Sequence, residues 1–285
     1  MAITAAQVNE LRQKTGAGMM DCKKALTESN GDFEKAVDIL RKKGAAVAAK
    51  RADKSANEGI VLTKLSEDNL TAAIVEVNCE TDFVAKSDVF IAFANKVLDN
   101  VYFDKLKTTE ALFENKEIQS DFDELVGKIG EKIVVSRLDY ITNENGFIVD
   151  YIHPGSKLGV IIVFDDLSPD KQNDFATIAK DVAMQVAAMK PISVYRDEVP
   201  KDLIEKEIDI YKEIARKEGK PEQILEKIAQ GKLAKYYQEN CLSEQAYIKD
   251  NAKSIGDLIS EFNKANSTKT RIKSFLRFHL GDEKK

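Results

Sequence analysis

Only two histidines, His153 and His279, and three cysteines, Cys22, Cys79 and Cys241, occur in the 285 residues. A zinc site would have few ligands to draw on, since the ion takes a small set of nitrogen, sulfur and carboxylate donors. The cysteines form no CxxC pair and cannot make an even disulfide framework, which fits a reducing, cytosolic setting. No apolar run approaches the roughly 20 residues a membrane-crossing helix needs. The start, Met1 to Gln7, has neither a basic n-region nor a long apolar h-region, so no signal peptide is expected. Catalytic motifs are missing as well: there is no GxxxxGKS or GxxxxGKT run, no GxGxxG after a strand, no GxSxG and no HExxH. The adjacent carboxylates Asp165 and Asp166 sit at a strand end, where they cap and solubilise rather than perform acid–base work. No enzyme, no cofactor and no metal site is expected.

What the chain does hold is charge and patterned apolar residues. Hydrophobic residues make up 43% and charged residues 32%, the balance of a globular chain with a densely charged surface. The length is that of roughly two domains of about 150 residues. Acidic residues outnumber basic ones by 48 to 43, which is not the footprint of a general nucleic-acid binder. Residues 41–54 run against that balance, with Arg41, Lys42, Lys43, Lys50, Arg51 and Lys54 against the single acid Asp53. The segment is either a phosphate-contacting patch or a solvated, alanine-rich helical linker. No aromatic is interleaved for base stacking, which favours the linker.

The patterning predicts an α+β protein in four sections, bounded near 1–54, 55–197, 198–241 and 242–285. Up to about Gly44 the spacing predicts three short helices: Thr4 and Gln7 make a capping box, Gly16 and Gly18 stop the first helix, and Asn30-Gly31 ends the second. Asp32 caps the third, whose Phe33, Ala36, Val37 and Leu40 share one face. Strands follow at Ile60 to Leu65 and Ala72 to Cys79, then a helix with Phe90, Phe93, Ala94, Val97 and Val101 inward. Ile133 to Tyr140, Phe147 to Ile152 and Leu158 to Phe164, with turn residues between them, predict an antiparallel meander. A helix opened by Ser168-Pro169 then buries Phe175, Ile178, Ala179, Val182 and Val186. Strands followed by a helix, twice over, predict two related halves. Leu203 to Tyr237 predicts a helical hairpin turning at Gly219-Lys220-Pro221, with stripes too narrow to be a core alone, so it should pack on another chain or on the sheets. A last helix near Ile255 to Phe262 and a strand from Ser274 to Leu280, pairing back onto an earlier sheet, complete the chain.

Two runs carry a resemblance. Leu11-Arg12-Gln13-Lys14-Thr15-Gly16-Ala17-Gly18-Met19-Met20-Asp21-Cys22-Lys23-Lys24-Ala25-Leu26 resembles the amino-terminal signature of the bacterial elongation factor Ts family, and Glu76-Val77-Asn78-Cys79-Glu80-Thr81-Asp82-Phe83-Val84-Ala85 is similar to its second signature. The resemblance implies a small UBA-like three-helix bundle, a two-part antiparallel α+β core, an inserted helical hairpin and a short terminal module. It implies guanine-nucleotide exchange on elongation factor Tu in the cytoplasm of a bacterium or in an organelle, with no chemistry by the chain itself. Thr81, Asp82, Phe83 and Val84 are implied to displace magnesium from that partner, and Arg12, Met19 and Met20 to dock on its nucleotide domain.

From spacing alone Phe83 has another home, on the stripe of Phe90 and Val97, if the helix began early. Met19 and Met20 could equally cover the bundle's own core. The chain differs from some relatives at Asn9, at Gln185 and at Ile248-Lys249. A homodimer through the hairpin is open, and a translation-associated RNA-binding module using residues 41–54 is the alternative function.

Overall fold

In the computed structural model, which describes residues 3–282, the chain begins with α1 (Ala5–Thr15), α2 (Met19–Glu28) and α3 (Phe33–Lys50). Thr4 Oγ1 accepts from Gln7 N at 3.2 Å while the Gln7 side chain accepts from Thr4 N at 3.0 Å, the predicted reciprocal box. Gly16 ends α1 at φ +65°, a left-handed conformation that a Cβ would disfavour. Val8, Leu11, Cys22, Ala25, Leu26 and Ala36 close the bundle's core.

Next come a hairpin of β1 (Glu58–Leu65) and β2 (Thr71–Cys79), then α4 (Asp82–Ala85), α5 (Asp88–Phe103), α6 (Thr109–Glu114), α7 (Lys116–Ile129) and β3 (Ile133–Thr142). β3 returns to pair antiparallel with β2, so the sheet order is β1-β2-β3. The second half repeats the plan. Its hairpin is β4 (Gly146–Ile152) and β5 (Leu158–Asp165), followed by α8 (Gln172–Met189), α9 (Lys201–Lys217), α10 (Glu222–Asn240), β6 (Ala246–Tyr247), β7 (Asp250–Ser254), α11 (Ile255–Asn266) and β8 (Arg271–His279). β8 pairs with β5, giving β4-β5-β8. In both sheets the hairpin's second strand is central and the third strand arrives after a helical excursion. Both also carry a register shift against that third strand, at Glu76/Val77 and at Val163/Phe164.

The two sheets stack, and helices cover both outer faces. Val75, Val77, Cys79, Phe90, Val97 and Val126 lie between the first sheet and α5 and α7. Val160, Ile162, Phe175, Val182, Val186 and Phe262 lie between the second sheet and α8 and α11. Val61, Ile74, Ile148, Ile161 and Phe278 fill the space between the sheets. There too Arg137 reaches Glu76, whose side chain is wholly buried, and stacks 4.4 Å from the centre of the Phe278 ring. Burial of such a pair requires close geometry, and Arg137 Nη2 also donates to His279 O at 3.2 Å.

Three sequence expectations need correction. The meander does not form: β3 and β4 belong to different sheets, and the chain crosses between them at Asn143–Gly146. Asn143 is buried there, its Nδ2 donating to Phe164 O at 2.8 Å and its N to Leu70 O at 2.8 Å. A turn whose polar groups are satisfied inside the fold can join two layers as well as two neighbouring strands. Second, α3 does not end at Gly44. Glycine costs a helix about 1 kcal/mol relative to alanine, and here packing offsets it. The Gly44 backbone lies against Gly127 of α7, and a Cβ built at Gly44 would strike Asp123 O. One face of the linker is therefore docked on α7, while Arg41, Lys42, Lys43 and Lys50 stay exposed. Third, of the two coverings expected for the hairpin, the sheets are not one: α9 and α10 pack chiefly on each other, burying Ala215, Leu225, Ala229 and Leu233, and packing on another chain is left open.

Candidate partner-binding site

The turn after β2 is built from the backbone outwards. Thr81, in extended conformation, caps α4, its Oγ1 accepting from Val84 N at 3.4 Å. A helix of four residues cannot hold itself in water, because nucleation outweighs its one or two hydrogen bonds. Glu131, between α7 and β3, supplies the missing support: Thr81 donates from N to Glu131 Oε2 at 3.0 Å and from Oγ1 to Glu131 Oε1 at 2.8 Å. The Cys79 thiol donates to Thr81 O at 3.1 Å, and burial pushes that thiol up to about 12, so it stays protonated. Val84 packs partly into the first core and Ala85 is buried.

Phe83 points the other way, with 82% of its surface exposed. It does not join the Phe90 and Val97 stripe, because Lys86 and Ser87 interrupt the helix and α5 starts afresh at Asp88. Beside it, Asp82 accepts from Lys86 Nζ at 2.8 Å, and that hydrogen bond holds the Asp82 carboxyl below the usual carboxylate range. The turn thus presents an aromatic ring and an ionised carboxylate.

Met19 and Met20 open α2 and are 55% and 74% exposed, so neither covers the bundle's core. Arg12, in the last turn of α1, is also exposed, and its carbonyl accepts from Gly16 N at 2.7 Å. These three residues share the α1–α2 corner, whereas Thr81 to Val84 sit on the first sheet's rim; α3 joins the two regions. Lys43 of α3 pairs with Asp21 next to the methionines, and Arg51 just past α3 pairs with Glu80 next to Thr81.

Sequence reasoning missed Glu131 and Lys132, and placed Arg51 only in the basic run, without its partner Glu80. Each lies far along the chain from the groups it holds, so no local spacing could reveal it. The departures at Gln185 and Ile248-Lys249 prove to be one locus. Gln185, wholly buried, accepts from Ile248 N at 3.0 Å and donates to Ala246 O at 3.1 Å, while Lys249 Nζ donates to Asp181 at 2.6 Å. These contacts fasten the β6–β7 hairpin to α8. Asn9, on α1, is exposed. Among the described residues no cluster of three or more His, Cys, Asp or Glu side chains could hold a metal ion, and no helix is long and apolar enough to cross a membrane.

Comparison with known proteins agrees along the chain. The family model described as "Elongation factor TS" matches residues 80–282. The protein named elongation factor Ts from Chlorobium phaeobacteroides is 46% identical over 287 residues, covering 98% of this chain and 99% of that protein. Those from Chlorobaculum parvum and Chloroherpeton thalassium are 45% and 44% identical, over 98% and 99% of this chain and 99% of each relative. On the strength of the family match and these near-full-length relatives, the chain belongs to the elongation factor Ts family.

Proposed function

We propose that this chain is a guanine-nucleotide exchange factor: it binds elongation factor Tu carrying GDP, disturbs the magnesium site and speeds GDP release during translation elongation in the cytoplasm. The observation that carries the reading is Phe83, a large aromatic held fully outward by a backbone that is pinned from behind. An aromatic ring already held on a pinned turn can be buried against a partner with little further loss of conformational freedom, which suits it to a wedge's role. A P-loop GTPase holds its nucleotide through backbone amides, a lysine and magnesium bridging the phosphates. A ring inserted beside that site parts packed elements, and the carboxylate of Asp82 competes with or repels the metal's own acidic ligands. Thr81 and Val84 set the turn, and Arg12, Met19 and Met20 give a second foothold on the same partner.

No bond is made or broken by the chain in this scheme. Couplings between binding sites are reciprocal, so whatever factor the chain removes from GDP affinity, GDP removes from the chain's affinity. The complex is therefore transient, the incoming nucleotide expels the chain, and selection of GTP falls to its cellular excess. Of the six basic residues in 41–54, Lys43 and Arg51 are engaged in ion pairs within the chain, which lowers the charge left for nucleic acid. Self-association through α9 and α10 would use their exposed Ile210, Ile214 and Ile224, and sedimentation of the chain with and without its partner measures it.

The test is release of a fluorescent GDP analogue from elongation factor Tu with substoichiometric amounts of the chain. Exchange predicts many turnovers per chain and tight binding to the nucleotide-free partner. A salt-dependent shift of tRNA with no acceleration of GDP release would replace this reading with the RNA-binding one.

A further inference from the structure

Phe83 makes its case by what it does not touch; the residues that aim it are elsewhere. Two consecutive positions of the α7–β3 turn, Glu131 and Lys132, hold the two residues preceding α4. Gly130 ends α7 at φ +75°, Glu131 takes both hydrogens of Thr81, and Lys132 N donates to Glu80 Oε1 at 2.6 Å. Glu80 is also held by Arg51, whose Nη1 lies 2.8 and 2.9 Å from its two carboxylate oxygens. Lys132 Nζ in turn donates to Ala52 O and, at 2.9 Å, to Lys54 O, in the turn that follows α3. One short turn thus locks the strand end, the start of α4 and the end of α3 together.

Glu131 has a further effect. By accepting the Thr81 Oγ1 hydrogen it turns a lone pair of that oxygen towards Val84 N, which is the cap that keeps α4 wound. Without the carboxylate the hydroxyl is free to rotate and Thr81 N loses its partner. Phe83 makes no packing contact that could replace this support, because its ring lies outside the core.

We propose that Glu131 is a positioning residue for exchange: by holding Thr81 at N and Oγ1 it fixes the direction in which Phe83 leaves the surface, and the Arg51–Glu80–Lys132 junction ties that direction to α3. The inference rests on the exchange reading above. It places the determinant of wedge geometry 50 residues from the Thr81 it holds, on the opposite side of the first helical excursion.

The experiment measures GDP release from elongation factor Tu as the concentration of the chain is raised, for wild type, Glu131→Ala, Glu131→Gln, Phe83→Ala and the double variant Glu131→Ala/Phe83→Ala. Misaiming a group by about 1 Å can cost up to a hundredfold in rate, so Glu131→Ala should lose roughly tenfold or more in maximal rate. Its half-saturating concentration should move far less, since the Met19 and Met20 foothold is untouched. Glu131→Gln keeps an acceptor and the side chain's volume and should recover part of the loss. It also decides the matter if Glu131→Ala melts early. In the double variant the Glu131 change should add nothing, because it acts through a ring no longer present. A folded Glu131→Ala protein, or a Glu131→Gln protein where Glu131→Ala melts early, that exchanges like wild type while Phe83→Ala is impaired would overturn the positioning role alone. Losses that multiply in the double variant would also overturn it, whereas a Phe83→Ala protein of normal activity would remove both this role and the mechanism it serves.

Discussion

Replacing Phe83 with alanine separates a partner-binding residue from a core residue more cleanly than any other single change. Full burial of a phenylalanine side chain contributes about 1.5–3 kcal/mol. With 82% of the residue exposed in the free chain, nearly all of that is still available to a partner, or about 1.2–2.5 kcal/mol. The complex with nucleotide-free elongation factor Tu should weaken by roughly 8- to 70-fold. Folding should hardly change, since an exposed substitution away from caps and buried groups shifts stability by about 0.5 kcal/mol or less. Asp82→Ala should give a smaller defect, non-additive with the first because both act on one locus. The assay is release of a fluorescent GDP analogue at millimolar magnesium and again with a chelator present. If the ring acts by dislodging the ion, its defect shrinks when the ion has already gone. A Phe83→Ala protein that melts several degrees early, or that exchanges at the wild-type rate at every magnesium level, would refute the argument.

Met19→Ser with Met20→Ser should lower affinity for elongation factor Tu by roughly tenfold or more while the melting curve stays in place, as titration calorimetry beside circular dichroism would show. Gly44→Ala should destabilise the fold by about 1–3 kcal/mol in urea unfolding, because the added methyl meets the Asp123 carbonyl of α7. Gly231→Ala, on α10 with nothing within 4 Å of the new methyl, should instead stabilise by about 0.5–1 kcal/mol. Glu80 carries a pH signature. The Lys132 amide, then Arg51, hold its carboxyl below the ordinary value of 4.5. Its folded-state pKa is depressed, so its contribution is present above the unfolded value and is lost as pH falls through the folded one. Melting temperatures of wild type and Glu80→Gln should therefore differ at neutral pH and converge as pH falls from the ordinary value through the depressed folded one; a gap that persists in acid would mean that the ion pair is not its source.

Much of this molecule is local, and local features are legible in a sequence. The Thr4 box, the Gly16 stop, the Gly219 reversal and the apolar stripes of α5 and α8 depend on neighbours within four residues, so spacing alone predicts them. Period-two alternation along β2 likewise puts Val75 and Val77 on one face and Ile74 and Glu76 on the other, from spacing alone. Spacing could not decide between the two homes for Phe83. A seven-residue step to Phe90 reads as a helix stripe, and only the break at Lys86 and Ser87 turns the ring outward. Strand partners were also beyond it. Asn143 to Gly146 has the composition of a hairpin turn, and it became a crossing between layers because Phe164 and Leu70 offered its polar groups partners inside the fold. The basic segment 41–54 shows the same limit. Its charges fit a free surface equally well until α7 meets Gly44 and Glu80 meets Arg51. Caps, stripes and turns are set by bonds that reach one helical turn. Which sheet a strand joins, which way an aromatic faces and which carboxylate holds it are set by residues 20 to 140 positions away, and those became neighbours only when the layers closed.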